Sequence, residues 1–471
     1  MARFPLFDVH TTGRSPRTTA QTHINVYANL EPQGDRAQMH WHSRAGLENF
    51  STVIEAHPSR GMLGVENYLY TVHEDQFYRV NLAGTVENKG TLNTTVGRVD
   101  MASNGAEILV VDGSDTGYLY TIATDTFESL DECEFPKDPG AVTVDFEGGH
   151  FIVSLEESGE FRISGLYNGK DWPALDFATA EGFPDNLVRV IVEKAEVILF
   201  GNQSTEFWQN VGNVDFPYQR VRGGAFEYGL AARWSVADVS KTVMFLASNR
   251  TGQVQVVRLQ NYQAVPVSSP DVDRLINDYD VVSDATGLGY TYDGHDFYQI
   301  NFPSAGKSWL FDNNTGMWTQ LQYGTAGARH RAEISTKFGN DLVLSDYESG
   351  VIYKQDATVY ADDGVLFARE MQSRHVHFED EVSISQLWVD FEPGVGLATG
   401  QGDDPQCMLS VSRDGGHTFG PERWTPIGKR GRFRTRAIWR RLGRAYDFVF
   451  RIRVAAPVKM VLTNSNYVQA Q

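Results

Sequence analysis

"EILVVDGSDTGYLYTI" (107–122) sets two strand-like runs, EILVVDG and GYLYTI, on either side of a turn. β-Branched and aromatic residues crowd both runs, and a turn rich in Gly, Ser and Asp parts them, so the stretch reads as a β-hairpin. The unit recurs. Its first run starts at Asn67, Glu107, His150, Glu196, Val243, Asp296 and Asp341, at spacings of 40, 43, 46, 47, 53 and 45 residues. A second run follows nine to eleven residues later each time, across turns such as EESGE (156–160), SNRTGQ (248–253) and SDYESG (345–350). Hairpins with a period of 40–50 residues are the mark of a β-propeller with one four-stranded blade per repeat. A single blade cannot bury both faces; radial stacking buries them, and ring closure protects the edges. Stacked β-sandwiches also space their strands regularly, but seven paired repeats fit a ring better.

The repeat bounds the rest of the chain. After about residue 365 the strand-like runs VSISQLWVDFE (382–392), QCMLSVS (406–412), YDFVFRIRV (446–454) and VKMVLT (458–463) are longer and less evenly spaced, which predicts a separate β-sandwich. The first sixty residues carry little periodicity. The expected fold is therefore all-β: an N-terminal arm (1–60) docking on the C-terminal domain, a propeller of about seven blades (61–365), and a C-terminal β-sandwich (366–471) that serves as a hub or interface. One helix is expected over SPDVDRLINDY (269–279), where Ser269 or Asp271 can cap and Val272, Leu275 and Ile276 share an apolar face.

Composition excludes several function classes. The chain of 471 residues is 41% hydrophobic and 21% charged, with 44 Gly, 27 Phe and 20 Tyr, a mixture that favours strands and turns. No apolar run approaches the roughly eighteen residues of a membrane span, and MARFPLFDVHTTGRSPRT lacks the apolar core of a secretion signal. Cys133 and Cys407 have no metal or redox spacing and are expected as free thiols of a reducing cytosol. A net charge of −19 argues against general affinity for a phosphate backbone.

Against that balance, KRGRFRTRAIWRRLGRAYDFVFRIRV (429–454) holds ten of the 41 basic residues and a single acid, Asp447. Arg430, Arg432, Arg434 and Arg436 alternate, so a strand would present all four on one face; Arg440, Arg441 and Arg444 follow. In FVFRIRV, Phe448, Phe450, Ile452 and Val454 would face a core, with Arg451 and Arg453 pointing away. A solvated charged face and a DNA contact are alternatives. A partner subunit fits better, because guanidinium groups pair bidentately with carboxylates and are enriched at interfaces.

Four other motifs carry weaker chemical signals. NFPSAGKS (301–308) ends like a phosphate-binding loop, but Asn301 stands where Gly is needed, and the loop joins two strands rather than a strand and a helix. GLATGQGDD (396–404) has paired glycines without a following helix and reads as a loop. HWH (40–42) and HVH (375–377) each put two imidazoles on one strand face; His40, His42, His375 and His377 could hold zinc only if those strands met. SRDGGHTF (412–419) resembles the Asp-box turn of sialidases through Ser412, Asp414, Gly416, Thr418 and Phe419. It occurs once, beyond the repeats, and no arginine cluster is evident at the propeller centre. A propeller glycosidase or glycan-binding module is therefore the alternative function. No catalytic, cofactor or metal site is assigned.

Several stretches together resemble the packaged-DNA stabilisation proteins, the tail nozzle or hub family of short-tailed double-stranded-DNA bacteriophages. They are INVYANLEP (24–32), SRGM with FYRVNLAGTV and GRVDMASNG (59–104), DRLINDY (273–279), FYQINFPSAGKSWLFDNNTGMWTQL (297–321) and RAIWRRLGRAYDFVFRIRVAAPVKMVLT (436–463). The resemblance spans both ends and the middle. It implies a non-enzymatic virion protein assembled in the host cytoplasm, six copies of which form a ring below the portal and its adaptor. That ring would carry tail fibres or spikes and a plug or needle protein. It would retain packaged double-stranded DNA and conduct it at ejection, without cofactor, specific DNA binding or membrane insertion.

Overall fold

Buried strands on successive repeats organise the molecule. The computed structural model describes residues 2–4, 6–12, 20–31, 39–180, 185–213 and 215–470. Part of the opening stretch read for a leader lies outside them. Secondary structure is almost wholly strand, with one α-helix, Pro270–Asn277, among the described residues. The Ser269 hydroxyl accepts from the Val272 amide at its start, and Val272 and Ile276 are buried, as the sequence predicts.

Each repeat folds as an antiparallel meander whose second strand is apolar on both faces. Tyr68–His73, Glu107–Val111, His150–Leu155, Glu196–Gly201 and Thr242–Ser248 are buried along nearly their whole length, because each lies between two neighbouring sheets. The apolar clusters between successive sheets form an unbroken ring: Tyr70 packs with Ile108, Leu109 with Phe151, Ile152 with Val197, and Phe200 with Phe245. Further on Met244 packs with Tyr298, Leu288 with Leu344, and Val343 returns to Leu69. Six of these sheets are self-contained, one fewer than the seven or so blades the repeat predicts. The remaining repeat, 286–323, forms four strands but no separate sheet. Its outer strand Met317–Tyr323 pairs with His23–Ile24 and so runs on into the C-terminal sheet.

Near the axis the inner strands approach closely enough to exclude side chains. A Cβ on Gly64 would lie 1.9 Å from the Lys337 carbonyl oxygen, and one on Gly289 would lie 1.7 Å from that of Asp238. Side chains then stitch one blade to the next. Thr336 Oγ1 accepts from the Gly64 amide (3.1 Å), Asp100 Oδ2 from Val144 (3.1 Å), Thr143 Oγ1 from Val190 (3.0 Å) and Asp145 Oδ2 from Val192 (2.7 Å).

The segment expected as an arm is divided between the two halves of the molecule. Leu6, Phe7, Val26, Ala28 and Trp41 enter the C-terminal core, and Met39–Ser43 pairs with Val461–Ala470. Gly46–Thr52 instead closes the propeller as the fourth strand of the sheet of Ala332–Phe338, Asp341–Asp346 and Val351–Asp356, in the register Ile352↔Ser51 and Asp356↔Gly46. Ser59–Val65 then opens the first blade. In the C-terminal half, two long strands, Val376–Phe391 and Ala437–Val454, pair over much of their length. The second bends near Arg441 and Gly443, both at positive φ, and continues against Arg369–Gln372 and Gln406–Ser412.

Where the halves join, the Arg44 guanidinium grips Asp362 twice (2.8 and 2.5 Å) and is almost wholly buried. It also donates to Asn25 Oδ1 (3.0 Å), the Ala45 carbonyl (2.8 Å) and the Gln322 carbonyl (3.2 Å), over the Phe367 ring. Beside this knot, His23 stacks on Trp41 with centroids 4.2 Å apart, and His10 meets the Trp309 edge-on while its Nδ1 accepts from the His23 amide (3.0 Å).

Three outcomes are expected. Arg44→Met or Asp362→Leu alone should cost about 3–5 kcal/mol in denaturant melts, whereas the double substitution should recover most of that loss, since only the single changes strand a buried charge. Gly64→Val should cost about 1–3 kcal/mol or more by forcing adjacent blades apart, against little change for Gly420→Ala, where a Cβ meets its nearest atom at 3.5 Å. Burial pushes the His10 ring down to about 4, so between pH 6.5 and 4 the unfolded chain binds a proton that the folded chain refuses. Its stabilising share is complete above pH 6.5 and is lost as pH falls. His10→Asn, which keeps an acceptor for the His23 amide, should flatten the acid-side loss of stability by up to about 1.4 kcal/mol per pH unit; equal slopes in variant and parent would refute this.

Candidate interaction surface

The arginine-rich segment leaves the sandwich as a loop and returns as a strand. Arg423–Pro426 pairs with Gln406–Ser412; residues 427–436 then turn, and Ala437–Val454 follows. The alternation of Arg430, Arg432, Arg434 and Arg436 therefore does not lie on a strand face. Gly428 and Gly431, both at positive φ, break the extended backbone, and turn bonds run from the Arg432 amide to the Lys429 carbonyl (2.9 Å) and from Thr435 to Arg432 (3.4 Å). Buried Ile427 anchors the base of the loop.

The nine arginines fall into two groups. Arg444, Arg451 and Arg453 are held within the chain. Arg444 meets Glu381 (3.2 Å); Arg451 donates twice to Gln372 Oε1 (3.0 and 2.9 Å) over the Phe419 ring; Arg453 donates to the Thr325 carbonyl (2.6 Å), just beyond the sixth repeat, 286–323. Phe448, Phe450, Ile452 and Val454 face the core on the other side of that strand, as the alternation predicts. By contrast Arg430, Arg432, Arg434, Arg436, Arg440 and Arg441 are exposed, and among the described residues none forms an ion pair. Arg436 lies over the Trp388 ring at 4.1 Å.

Three large aromatic groups that sequence reading missed share this region: Phe433 is 73% exposed, Trp424 64% and Tyr446 53%. Exposed aromatic rings beside unpaired guanidinium groups have the composition of an interface core before its partner docks. For Phe433 the alternation of polar and aromatic residues gave no hint of exposure, because that depends on the turns at Gly428 and Gly431, whereas Trp424 and Tyr446 lie on the flanking strands.

The remaining motifs act locally. Pro303–Gly306 forms the hairpin turn of NFPSAGKS, and the Ser304 amide donates to Asp284 (2.7 Å), a carboxylate rather than a phosphate. The two histidine pairs are not brought together: His40 and His42 lie on the strand beside Val461–Thr463, while His377 contacts Asp447 (2.7 Å) at the far end of the neighbouring long strand. Among the described residues no group of three or more His, Cys, Asp or Glu could hold a metal. In the Asp-box turn Ser412 donates to Asp414 (2.7 Å) and Asp414 accepts from the Thr418 amide (2.9 Å); these bonds, led by Ser412, hold the Asp414 carboxyl well below its ordinary range. It is a self-satisfied turn. Cys133 and Cys407 are free thiols.

Two family models match the chain in sequence order: "Bacteriophage P22 Gp10, beta-propeller" over residues 3–360 and "Bacteriophage P22 Gp10, beta-sandwich" over residues 368–469. The chain belongs to the phage P22 Gp10 family. Its propeller and sandwich are thus the two parts of that family, and Asp362 and Phe367 sit in the short connection between them. Among curated proteins the chain is similar to the "Tail hub protein gp10" of Salmonella phage P22, at 21% identity over 329 residues. That match covers 66% of this chain and 64% of the relative, slightly less than two thirds of the relative's length.

Proposed function

We propose that the protein is a structural tail hub of a short-tailed phage. Six copies form a ring beneath the portal and its adaptor, carry fibres or spikes and a plug, retain packaged double-stranded DNA and conduct it outward at ejection. The supporting observation is the succession, in one chain, of the propeller and sandwich of the phage P22 Gp10 family, joined to a likeness to a protein named as a tail hub. The protein on this reading is a virion component with no catalytic step.

Charge fits the role. Six chains at −19 carry a formal −114 around one channel. Basic walls would bind phosphates and release counterions at each contact, slowing a duplex in transit, whereas acidic walls repel it. The exposed guanidinium groups of 430–441, with Trp424, Phe433 and Tyr446, then serve a protein contact, between protomers or with the acidic surface of the adaptor ring.

Truncating one partner of a desolvated interface charge pair costs about 2–5 kcal/mol, and exposed substitutions leave a monomer within about 0.5 kcal/mol. Arg432→Ala combined with Arg434→Ala should therefore weaken ring assembly or adaptor attachment and leave the melting of the isolated chain nearly unaltered. Sedimentation with electron micrographs of the purified protein, alone and with its portal partners, checks both points. Normal rings together with weaker and less salt-sensitive DNA binding would assign these arginines to DNA instead. Chains that never form a ring would sink the hub reading itself.

A further inference from the structure

A cavity of about 670 Å³ opens at the propeller axis; Arg98, Arg189 and Trp234 line one part of it, and Asp100, Lys337, Asp238 and Asp341 also contribute to its wall. Both guanidinium groups lie over the Trp234 indole, at 5.3 Å for Arg98 and 4.9 Å for Arg189. The sequence gives no warning of this cluster, since the three residues come from the edges of three different repeats.

What sets the site apart is unmet hydrogen-bonding demand. Arg98 makes no hydrogen bond and no ion pair among the described residues, and its Nε and Nη1 are shielded from solvent without an acceptor. Arg189 Nε is likewise unmet, although its Nη1 reaches the Arg233 carbonyl (3.1 Å). Unmet Nε groups recur elsewhere, at Arg258, Arg331 and Arg369 among others, but those side chains keep partners through their other nitrogens, as Arg369 does with the Val458 and Ala456 carbonyls. Arg44 has Asp362, and Arg60 donates to the carbonyls of Glu74, Thr94, Val96 and Gly97 at 2.6–2.7 Å. Glu333, which pairs with Arg329 (2.7 Å), and Asp100, which accepts from the Val144 amide, lie close enough to act on Arg98 through their charge but neither pairs with it directly. Burial holds Arg98 below its ordinary range, opposed by the charge of Glu333 and, less, of Asp100, and reinforced by that of Arg189. Arg98 is half-buried, and two shielded, unpaired donor nitrogens on a cation are costly; a fold retains them where something outside the chain completes the group.

We propose that this axial cavity binds a small organic oxyanion, a carboxylate or phosphate ester with a flat or apolar face. Arg98 and Arg189 hold the charged group and Trp234 carries the face. The volume suits a single small ligand, and guanidinium groups offer the forked donors that planar oxyanions accept. The site lies on the propeller axis, away from the arginine loop of the sandwich, and does not depend on how the protein assembles.

The test is calorimetric titration of the full-length protein at pH 7 with inorganic phosphate, with benzoate, and with benzyl alcohol as the neutral counterpart of benzoate. One saturable site per chain is expected for both anions, with benzoate at least about threefold tighter than phosphate, and no saturation by benzyl alcohol. Arg98→Met and Arg189→Met should each weaken benzoate at least about tenfold. The anion-free Arg98→Met protein should melt no lower than the parent, because the change removes a charge that nothing in the chain pairs. Phosphate bound as tightly as benzoate would still uphold the arginines as an oxyanion site and assign the specificity to the bare anion. Absence of saturable anion binding, or affinities unchanged in both variants, would overturn the proposal.

Discussion

Everything in the molecule turns on the buried contact of Arg44 with Asp362. Arg44 belongs to the N-terminal segment, Asp362 to the connection after the last blade, and their shared neighbours Asn25 and Gln322 to the arm and the sixth repeat. Asn25, at positive φ, donates to the carbonyls of Gln322 and Ala368, so one side chain fixes three separate parts of the chain. A guanidinium buried this deeply is tolerable only because each face of it is met, by a carboxylate, two carbonyls, an amide oxygen and an aromatic ring. Those contacts tie the propeller directly to the sandwich.

The propeller was legible because its most buried strands are also its most apolar. Runs such as HFIVSL and VMFLAS are apolar on both faces and announce themselves in any reading of the sequence. Outer strands are harder to see: Val86–Thr91 is VENKGT, mostly solvated, with nothing in its residues to distinguish strand from loop. Gly46–Thr52 was missed for the same reason. GLENFST buries Gly46, Leu47 and Ser51 and leaves the rest at or near the surface, and its partner lies some three hundred residues away. The sharing of the sixth repeat's outer strand with His23–Ile24 was equally hidden, since a single parallel pairing leaves no periodicity behind.

Site residues divide along similar lines. Alternation within FVFRIRV correctly separated Phe448, Phe450 and Ile452 from Arg451 and Arg453, because that stretch is a strand with one face in the core. The same rule failed for Arg430 to Arg436, where Gly428 and Gly431 turn the chain before a second residue pair can alternate. For Arg98, Arg189 and Trp234 no local rule applies. Their meeting is produced by the curvature of the ring, which brings the edges of distant repeats to a common axis.

The placement of Gly46–Thr52 also has a temporal side. Its hydrogen-bonding partner, Val351–Asp356, emerges from the ribosome about 300 residues later, which at ordinary rates of synthesis is a delay of roughly 15–60 s. Until then this segment has no partner strand to pair with. A strand rich in polar side chains is well suited to that interval, because an apolar one left waiting would pair with other chains. The weak hydrophobicity that concealed this strand from sequence reading thus also suits it to waiting unpaired.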